Sequence, residues 1–316
     1  MCGRFVSYFD PAELVGLFNA DQVTDLPGPS WNIAPTNQVA MVRAAPPGRG
    51  PDSVDSDQVG RAARGGRPGP ARQGRVLGET GPDSAEPAQT ETSGRGAERR
   101  EIRVARWGLV PPWSKDPAIG PRLINARSET VTVKPAFRAA ARSRRALIPA
   151  AGYYEWQAGG QGPKTPFFLH PGDGGPIALA ALYEWWFPPR PTDGKGDDAV
   201  SRPVAGHRRQ AAPRAVSGTL ASGDAESRDP SRPEPLLTIT VVTRAATDAL
   251  GAIHDRMPLV VPPDLWDPWL HPAVNTAAAV SALIAQIPDP VLIPREVGRA
   301  VGSVRNNGPA LIEPVP

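Results

Sequence analysis

The sequence predicts an α+β fold built around a curved, mainly antiparallel sheet, and three observations carry that prediction. Short apolar or alternating runs bounded by Gly and Pro recur along the chain. Helical periodicity is confined to a few segments, and strands do not alternate with helices in the βαβ manner that parallel sheets require. Finally, the 40 prolines and 32 glycines among 316 residues are concentrated in two stretches. Between Pro46 and Arg100 there is hardly an aliphatic side chain, and no aromatic occurs from Val42 to Arg106. Such a segment cannot bury enough apolar surface to order itself, so 46–100 is predicted to be a disordered low-complexity insertion. The composition repeats over 188–235, giving a second insertion. The remaining blocks, roughly 1–45, 101–187 and 236–316, add up to one ordinary domain.

Taken in order, Asp10-Pro11 is an N-cap and first-turn pair, and Leu14, Leu17 and Phe18 follow at helical spacing, predicting a short helix from Pro11 to Ala20. Strands are predicted at Val39 to Val42, Arg103 to Trp107, Ala146 to Pro149, Pro166 to Leu169, Ile177 to Tyr183 and Leu236 to Thr243. Helices are predicted from Ala245 to Ile253 and from Thr276 to Gln286, the latter carrying Val280, Leu283 and Ile284 on one face. The pairing of the strands is not legible.

A net charge of +3 and a pI near 9.3 indicate mild basicity, too weak alone to mark a nucleic-acid binder. The single cysteine excludes an intramolecular disulfide and a cysteine-based zinc cluster, and no metal or cofactor is implied. No basic-then-apolar leader and no apolar run near the ~20 residues that span a bilayer is present, so a cytoplasmic protein with no membrane association is expected.

That cysteine is the second residue, in Met1-Cys2-Gly3-Arg4-Phe5. Its small side chain permits removal of Met1, after which the chain begins with a thiol and an α-amine on adjacent carbons. The amine can condense with an aldehyde to an imine, and the sulfur can close on the imine carbon to give a thiazolidine. Their ordinary pKa values, roughly 7.7–8.0 and about 8.5, lie close enough to neutrality for both to react. An early cysteine can equally be a small buried apolar residue, so the rest of the chain must decide. Further segments place polar groups where a core would not want them: Trp31-Asn32-Ile33-Ala34-Pro35-Thr36 in a turn, Trp107-Gly108-Leu109-Val110-Pro111-Pro112-Trp113 on a proline-stiffened loop, Ile124 to Thr130, Ala151-Gly152-Tyr153-Tyr154-Glu155-Trp156, and Ile253-His254-Asp255-Arg256-Met257-Pro258.

Together, MCGRF, WNIAPT, WGLVPPW, INARSET, GYYEW and IHDRMP, with Arg299 to Asn306 beyond them, resemble the SRAP family of SOS-response-associated or abasic-site-processing proteins. The resemblance covers all three ordered blocks and implies a single barrel-like domain over 1–316, the insertions falling between motifs. It also implies covalent capture of abasic sites in single-stranded DNA; a monomer, nucleoid-associated when acting on DNA, is expected. Cys2 would supply amine and thiol. Glu155, desolvated by its aromatic neighbours, and His254 would move protons. Asn125 would hold the amine or the sugar hydroxyl in attack geometry. DNA contacts would come from Arg4 and Arg127 with Arg256 as a third arginine, from Trp113 by base stacking, and from Asn32 and Pro35 as walls of the site. Trp31 and Trp107 are expected in the core.

Two other function classes fit parts of the pattern. Cys2, His254 and Asn125 or Glu155 could form a thiol, base and orienter for an N-terminal cysteine peptidase, self-removal of Met1 included. A non-covalent single-strand-binding module would use the arginines and tryptophans and ignore the thiol.

Overall fold

The structure, a computed structural model, describes residues 2–46, 99–159, 162–189 and 234–315. Most of the two predicted insertions lies outside the described residues. Arg100, placed by the sequence reading in the first of them, instead opens a strand.

Among the described residues, thirteen strands form two sheets. In chain order they are β1 (Arg4–Ser7), β2 (Ala20–Gln22), β3 (Ser30–Ile33), β4 (Gln38–Ala44), β5 (Arg100–Trp107), β6 (Asn125–Arg127), β7 (Arg145–Ala150), β8 (Gly152–Gln157), β9 (Thr165–His170), β10 (Ile177–Trp186), β11 (Leu236–Ala245), β12 (Arg256–Pro258) and β13 (Ile293–Glu296). The helices are α1 (Pro11–Phe18), α2 (Arg138–Ser143), α3 (Asp248–Gly251), α4 (Trp266–Leu270) and α5 (Ala277–Gln286).

One sheet has five strands in the order β13-β9-β8-β1-β3. The other runs β12-β11-β10-β7-β4-β5-β2, with β6 added beside β11. Parallel pairing of β11 with β5, through Thr238↔Arg106 and Ile239↔Trp107, closes β11-β10-β7-β4-β5 into a barrel. Closure removes the open edges that a curved sheet would otherwise expose. The remaining barrel pairings are antiparallel, while β2–β5 and β6–β11 are parallel additions.

Strand β10 shows how the sheet divides the core. Ala178, Ala180 and Leu182 face a cluster covered by helices, where Leu14, Phe18, Trp269, Val280 and Leu283 pack. Ile177, Leu179, Ala181 and Tyr183 face a second cluster shared with Cys2, Phe5, Tyr153 and Leu169 of the five-stranded sheet. This period-2 split is the alternation of a pleated strand buried on both sides. A third cluster, including Val6, Tyr154, Phe168, Val301 and Leu311, seals the reverse face of the five-stranded sheet under the C-terminal segment.

Local signals set several ends. Asp10 accepts the Ala12 amide at 2.8 Å while Glu13 accepts the Asp10 amide at 3.0 Å, a capping box with Pro11 in the first turn. Thr276 caps α5 through the Ala279 amide. Helix α1 stops at Phe18 because Asn19 turns left-handed (φ 44), and Ala20, predicted helical, begins β2. The helix expected from Ala245 to Ile253 shrinks to Asp248–Gly251, since Ala245 is held in β11 by its pairing with Arg256. Buried Arg145 staples helix to barrel: its guanidinium donates to the carbonyls of Ala141, Arg142, Trp269 and His271 at 2.6–3.1 Å.

Candidate active site

The site forms where the chain start passes between the two sheets. Strand β1 lies antiparallel to β8 with Phe5 opposite Tyr153 and Arg4 opposite Tyr154. Along β8, Tyr153 joins the cluster between the sheets and Tyr154 the reverse one, so Glu155, two residues from Tyr153, shares the face of Cys2's cluster. Both Cys2 (0 % exposed) and Glu155 (3 %) are buried.

Asn125 arrives from the other sheet. The indole Nε1 of Trp107, itself fully buried, donates to the Ile124 carbonyl at 3.0 Å, and the Val241 amide donates to the same oxygen at 3.0 Å. This seats Asn125 at the start of β6, where its Nδ2 donates to the Cys2 carbonyl at 2.7 Å. Its Oδ1 is buried with no partner among the described residues. The loop between Trp107 and Asn125 depends on Gly108 (φ 121): a Cβ there would come within 2.7 Å of the Gly120 carbonyl oxygen.

His254 lies just before β12, partly buried. Its Nδ1 stands 3.0 Å from the Arg256 amide and 2.8 Å from Asp255 Oδ1. Nδ1 accepts the amide hydrogen when the ring is neutral and donates to Asp255 when the ring is protonated, so Asp255 supports the charged form.

Electrostatics tie these groups together. Burial raises the Cys2 thiol far above its ordinary range, the charge of Glu155 adds to this, and the amino-terminal ammonium opposes it. Burial lifts Glu155 to about 7, with the same ammonium pulling down and Asp255 pushing up. Burial holds His254 below its ordinary value, helped by the amino-terminal charge and opposed by Asp255. Tyr153 is raised by burial and then by Cys2 and Glu155. That ammonium is the one on Met1, so a single charge ahead of Cys2 acts on thiol, carboxyl and imidazole alike.

The residues expected to hold DNA are distributed differently. Arg4 donates to Asn32 Oδ1 at 2.8 Å and to the carbonyls of Val301 and Gly302 at 2.9 and 3.4 Å. Asn32 lies in strand β3 rather than in a turn, 5 % exposed, and its Nδ2 donates to Val301, Ser303 and Asn306. Both therefore clamp the C-terminal segment. Arg256 is committed to Glu129, with two contacts at 2.6 and 3.0 Å, and to the Thr243 carbonyl. Arg127 is exposed at the end of β6. Trp113 is 58 % exposed on its loop, whose base is held by Trp186 Nε1 donating to the Ser114 carbonyl at 2.8 Å. Pro35 is half-buried in the turn Ala34–Asn37, where Thr36 takes a positive φ of 74. Trp31, expected in the core, is only half-buried and stacks on Tyr8.

Sequence reasoning did not single out Asp255 as a partner of His254, nor Tyr153 as a neighbour of the thiol. The parity of Tyr153 with Glu155 in a strand was the available signal, and it requires knowing that GYYEW is a strand. Among the described residues no group of three or more His, Cys, Asp or Glu is placed to hold a metal ion, and no helix is long and apolar enough to cross a membrane.

The family described as SOS response associated peptidase (SRAP) matches residues 1–304. The chain is 25 % identical over 317 residues to the abasic site processing protein YoqW of Bacillus subtilis, covering 99 % of each. It is 31 % identical over 210 residues to the abasic site processing protein YedK of Escherichia coli, covering 66 % of this chain and 73 % of that one. A crystal structure of a protein from Bordetella bronchiseptica, 18 % identical, shares the fold with a TM-score of 0.54, covering 94 % of this chain and all (100 %) of that one. With termini, motifs and architecture in agreement, the chain belongs to the SRAP family.

Proposed function

We propose that this protein processes abasic sites in single-stranded DNA by bonding covalently to the lesion through Cys2 after loss of Met1. The observation that carries the proposal is the grip of Asn125 on the Cys2 carbonyl beside a carboxyl poised near neutrality. The names of the relatives, abasic site processing proteins, point the same way.

An abasic deoxyribose opens to an aldehyde at C1′. The Cys2 amine adds to that carbon and the carbinolamine expels water, leaving an imine. The sulfur then bonds to the same carbon while its proton passes to the nitrogen, closing the thiazolidine without oxidant or cofactor. Glu155, near half-protonation at neutral pH, can donate a proton to the departing oxygen and take one from the thiol. His254 is the second proton carrier, stabilised when charged by Asp255. Asn125 fixes the backbone of Cys2, and its unpartnered oxygen can accept from the attacking amine. Arg127 and Trp113 are the exposed cation and ring available to the strand. Arg4, Asn32 and Arg256, engaged within the protein, act on DNA only through the shape they hold. A peptidase mechanism asks for a ready thiolate, whereas burial and Glu155 keep this sulfur protonated.

The test is incubation of the mature protein with single-stranded DNA carrying one abasic site, resolved on a denaturing gel. A shifted band that survives denaturation is expected from the wild type and not from Cys2→Ala, which should retain reversible binding. A cross-link formed by Cys2→Ala, or none formed by the wild type, defeats the proposal.

A further inference from the structure

A polar cavity of about 280 Å³ opens on the reverse face of the five-stranded sheet. Its lining includes Tyr8, Phe168, His170, Asp173, Arg295 and Ile312. The register of β9 with β13 places Arg295 opposite Phe168, and His170, two residues along, takes the same face. The His170 ring stacks on Phe168 with centroids 5.2 Å apart and planes 15° apart.

His170 is 9 % exposed, and its Nδ1 lies 2.9 Å from the Pro171 carbonyl oxygen. A carbonyl only accepts, so Nδ1 carries the hydrogen, and whenever the ring is neutral Nε2 presents a lone pair. That nitrogen is buried with no partner among the described residues. Proteins rarely leave such an atom unmatched. Arg295 spends Nη1 on the Ile312 carbonyl at 3.2 Å, which leaves further N–H groups of its guanidinium to donate. Asp173 accepts the Gly175 amide through Oδ1 at 3.0 Å and places a carboxylate at the mouth. The cavity therefore offers acceptors (Nε2, the carboxylate), donors (the guanidinium, the Tyr8 hydroxyl) and an aromatic surface. A phosphate would meet the carboxylate and the lone pair unfavourably. A planar heterocycle with an exocyclic amine beside a ring acceptor matches all three.

We infer that this cavity is a nucleobase pocket in which His170 Nε2 accepts from an exocyclic amine and Arg295 donates to the adjacent ring acceptor. Cytosine, adenine and guanine carry that amine and thymine does not. The base can come from a free nucleoside or from a strand held elsewhere on the protein. The pocket lies on the opposite face of the sheet from Glu155, so its occupancy is independent of the thiol.

The test is titration of the full-length protein with cytidine, thymidine and dodecamers of dC and of dT, followed through the fluorescence of Trp31, which stacks on Tyr8. Saturable binding of cytidine at least tenfold tighter than thymidine is expected. That binding should be lost in His170→Phe, weakened at least fivefold in Arg295→Gln, and unchanged in Cys2→Ala. Both pocket variants should cross-link abasic DNA as the wild type does, and circular dichroism checks their folding. If only the dC dodecamer responds, with the same dependence on His170 and Arg295, the strand is the source of the base. No saturable response to any of the four, or an undiminished response in both variants, overturns the inference and leaves Nε2 to solvent. The cytidine readout does not involve the cross-link, so it stands or falls separately from the proposed function.

Discussion

Asn32 and Asn125 are both drawn toward distant backbone carbonyls, and the difference in how far each is satisfied separates two regions of the molecule. Asn32 uses its amide nitrogen on three carbonyls of the C-terminal segment and its oxygen on Arg4. Asn125 uses Nδ2 on Cys2 and leaves Oδ1 buried and unmatched. The first is a closed hydrogen-bond set, which rigidifies a seam between strand β3 and the chain's end. The second keeps an acceptor available next to Cys2. The same contrast holds for the carboxylates: Glu129 is neutralised by Arg256 and held below its ordinary value mainly by that hydrogen bond, while Glu155 is raised. Saturated groups hold the seam at Asn32, whereas beside Cys2 lie an amide with one open acceptor and a carboxyl raised by burial.

Substituting the two asparagines is the sharpest way to break the comparison. Asn125→Ala should slow adduct formation about 100-fold, as loss of positioning does, with stability within about 1 kcal/mol of wild type. Asn32→Ala should lower unfolding free energy by about 3 kcal/mol, since several hydrogen bonds worth roughly 1 kcal/mol each are lost, with little change in rate where the variant remains folded. Urea unfolding paired with single-turnover cross-linking reads both, and equal profiles for the two variants would erase the distinction.

Glu155→Gln tests the carboxylate half. In the folded protein Glu155 titrates at about 7 rather than the ordinary 4.5, so the folded state binds a proton that the unfolded chain gives up. A raised carboxyl contributes full stability below the unfolded value and loses it as pH climbs through 7. The glutamine variant should therefore be more stable than wild type at pH 8, by on the order of 3 kcal/mol, and indistinguishable at pH 4. Its cross-linking rate should also lose its pH dependence around 7. Denaturant melts at the two pH values would contradict this reading if the variant showed no alkaline gain.

The smallest effect is expected at the exposed tryptophan. Trp113→Ala should weaken single-strand affinity about tenfold, the loss of one stacked base, with the trapping rate at saturating DNA unchanged. Fluorescence anisotropy with unmodified oligonucleotide checks it, and an unchanged Kd would leave the ring without a role in binding.

Much of this was present in the chain as written. Vicinal amine and thiol follow from Cys2 being second once Met1 is lost, the start of α1 from Asp10-Pro11, that of α5 from Thr276, and the presence of β10 from its apolar run. These depend on covalent neighbours or on residues a turn away, and so need no knowledge of the fold. The order of strands, the barrel closure through β11 and β5, and the face on which Glu155 lies came only with the packed structure. So did the bond of Asn125 to Cys2, the electrostatic coupling of Glu155 to the thiol, the commitment of Arg256 to Glu129, and the turning of Arg4 and Asn32 toward the C-terminal segment. A partner more than a hundred positions away is chosen by sheet register and by which groups lose water, and those are properties of the whole packed chain.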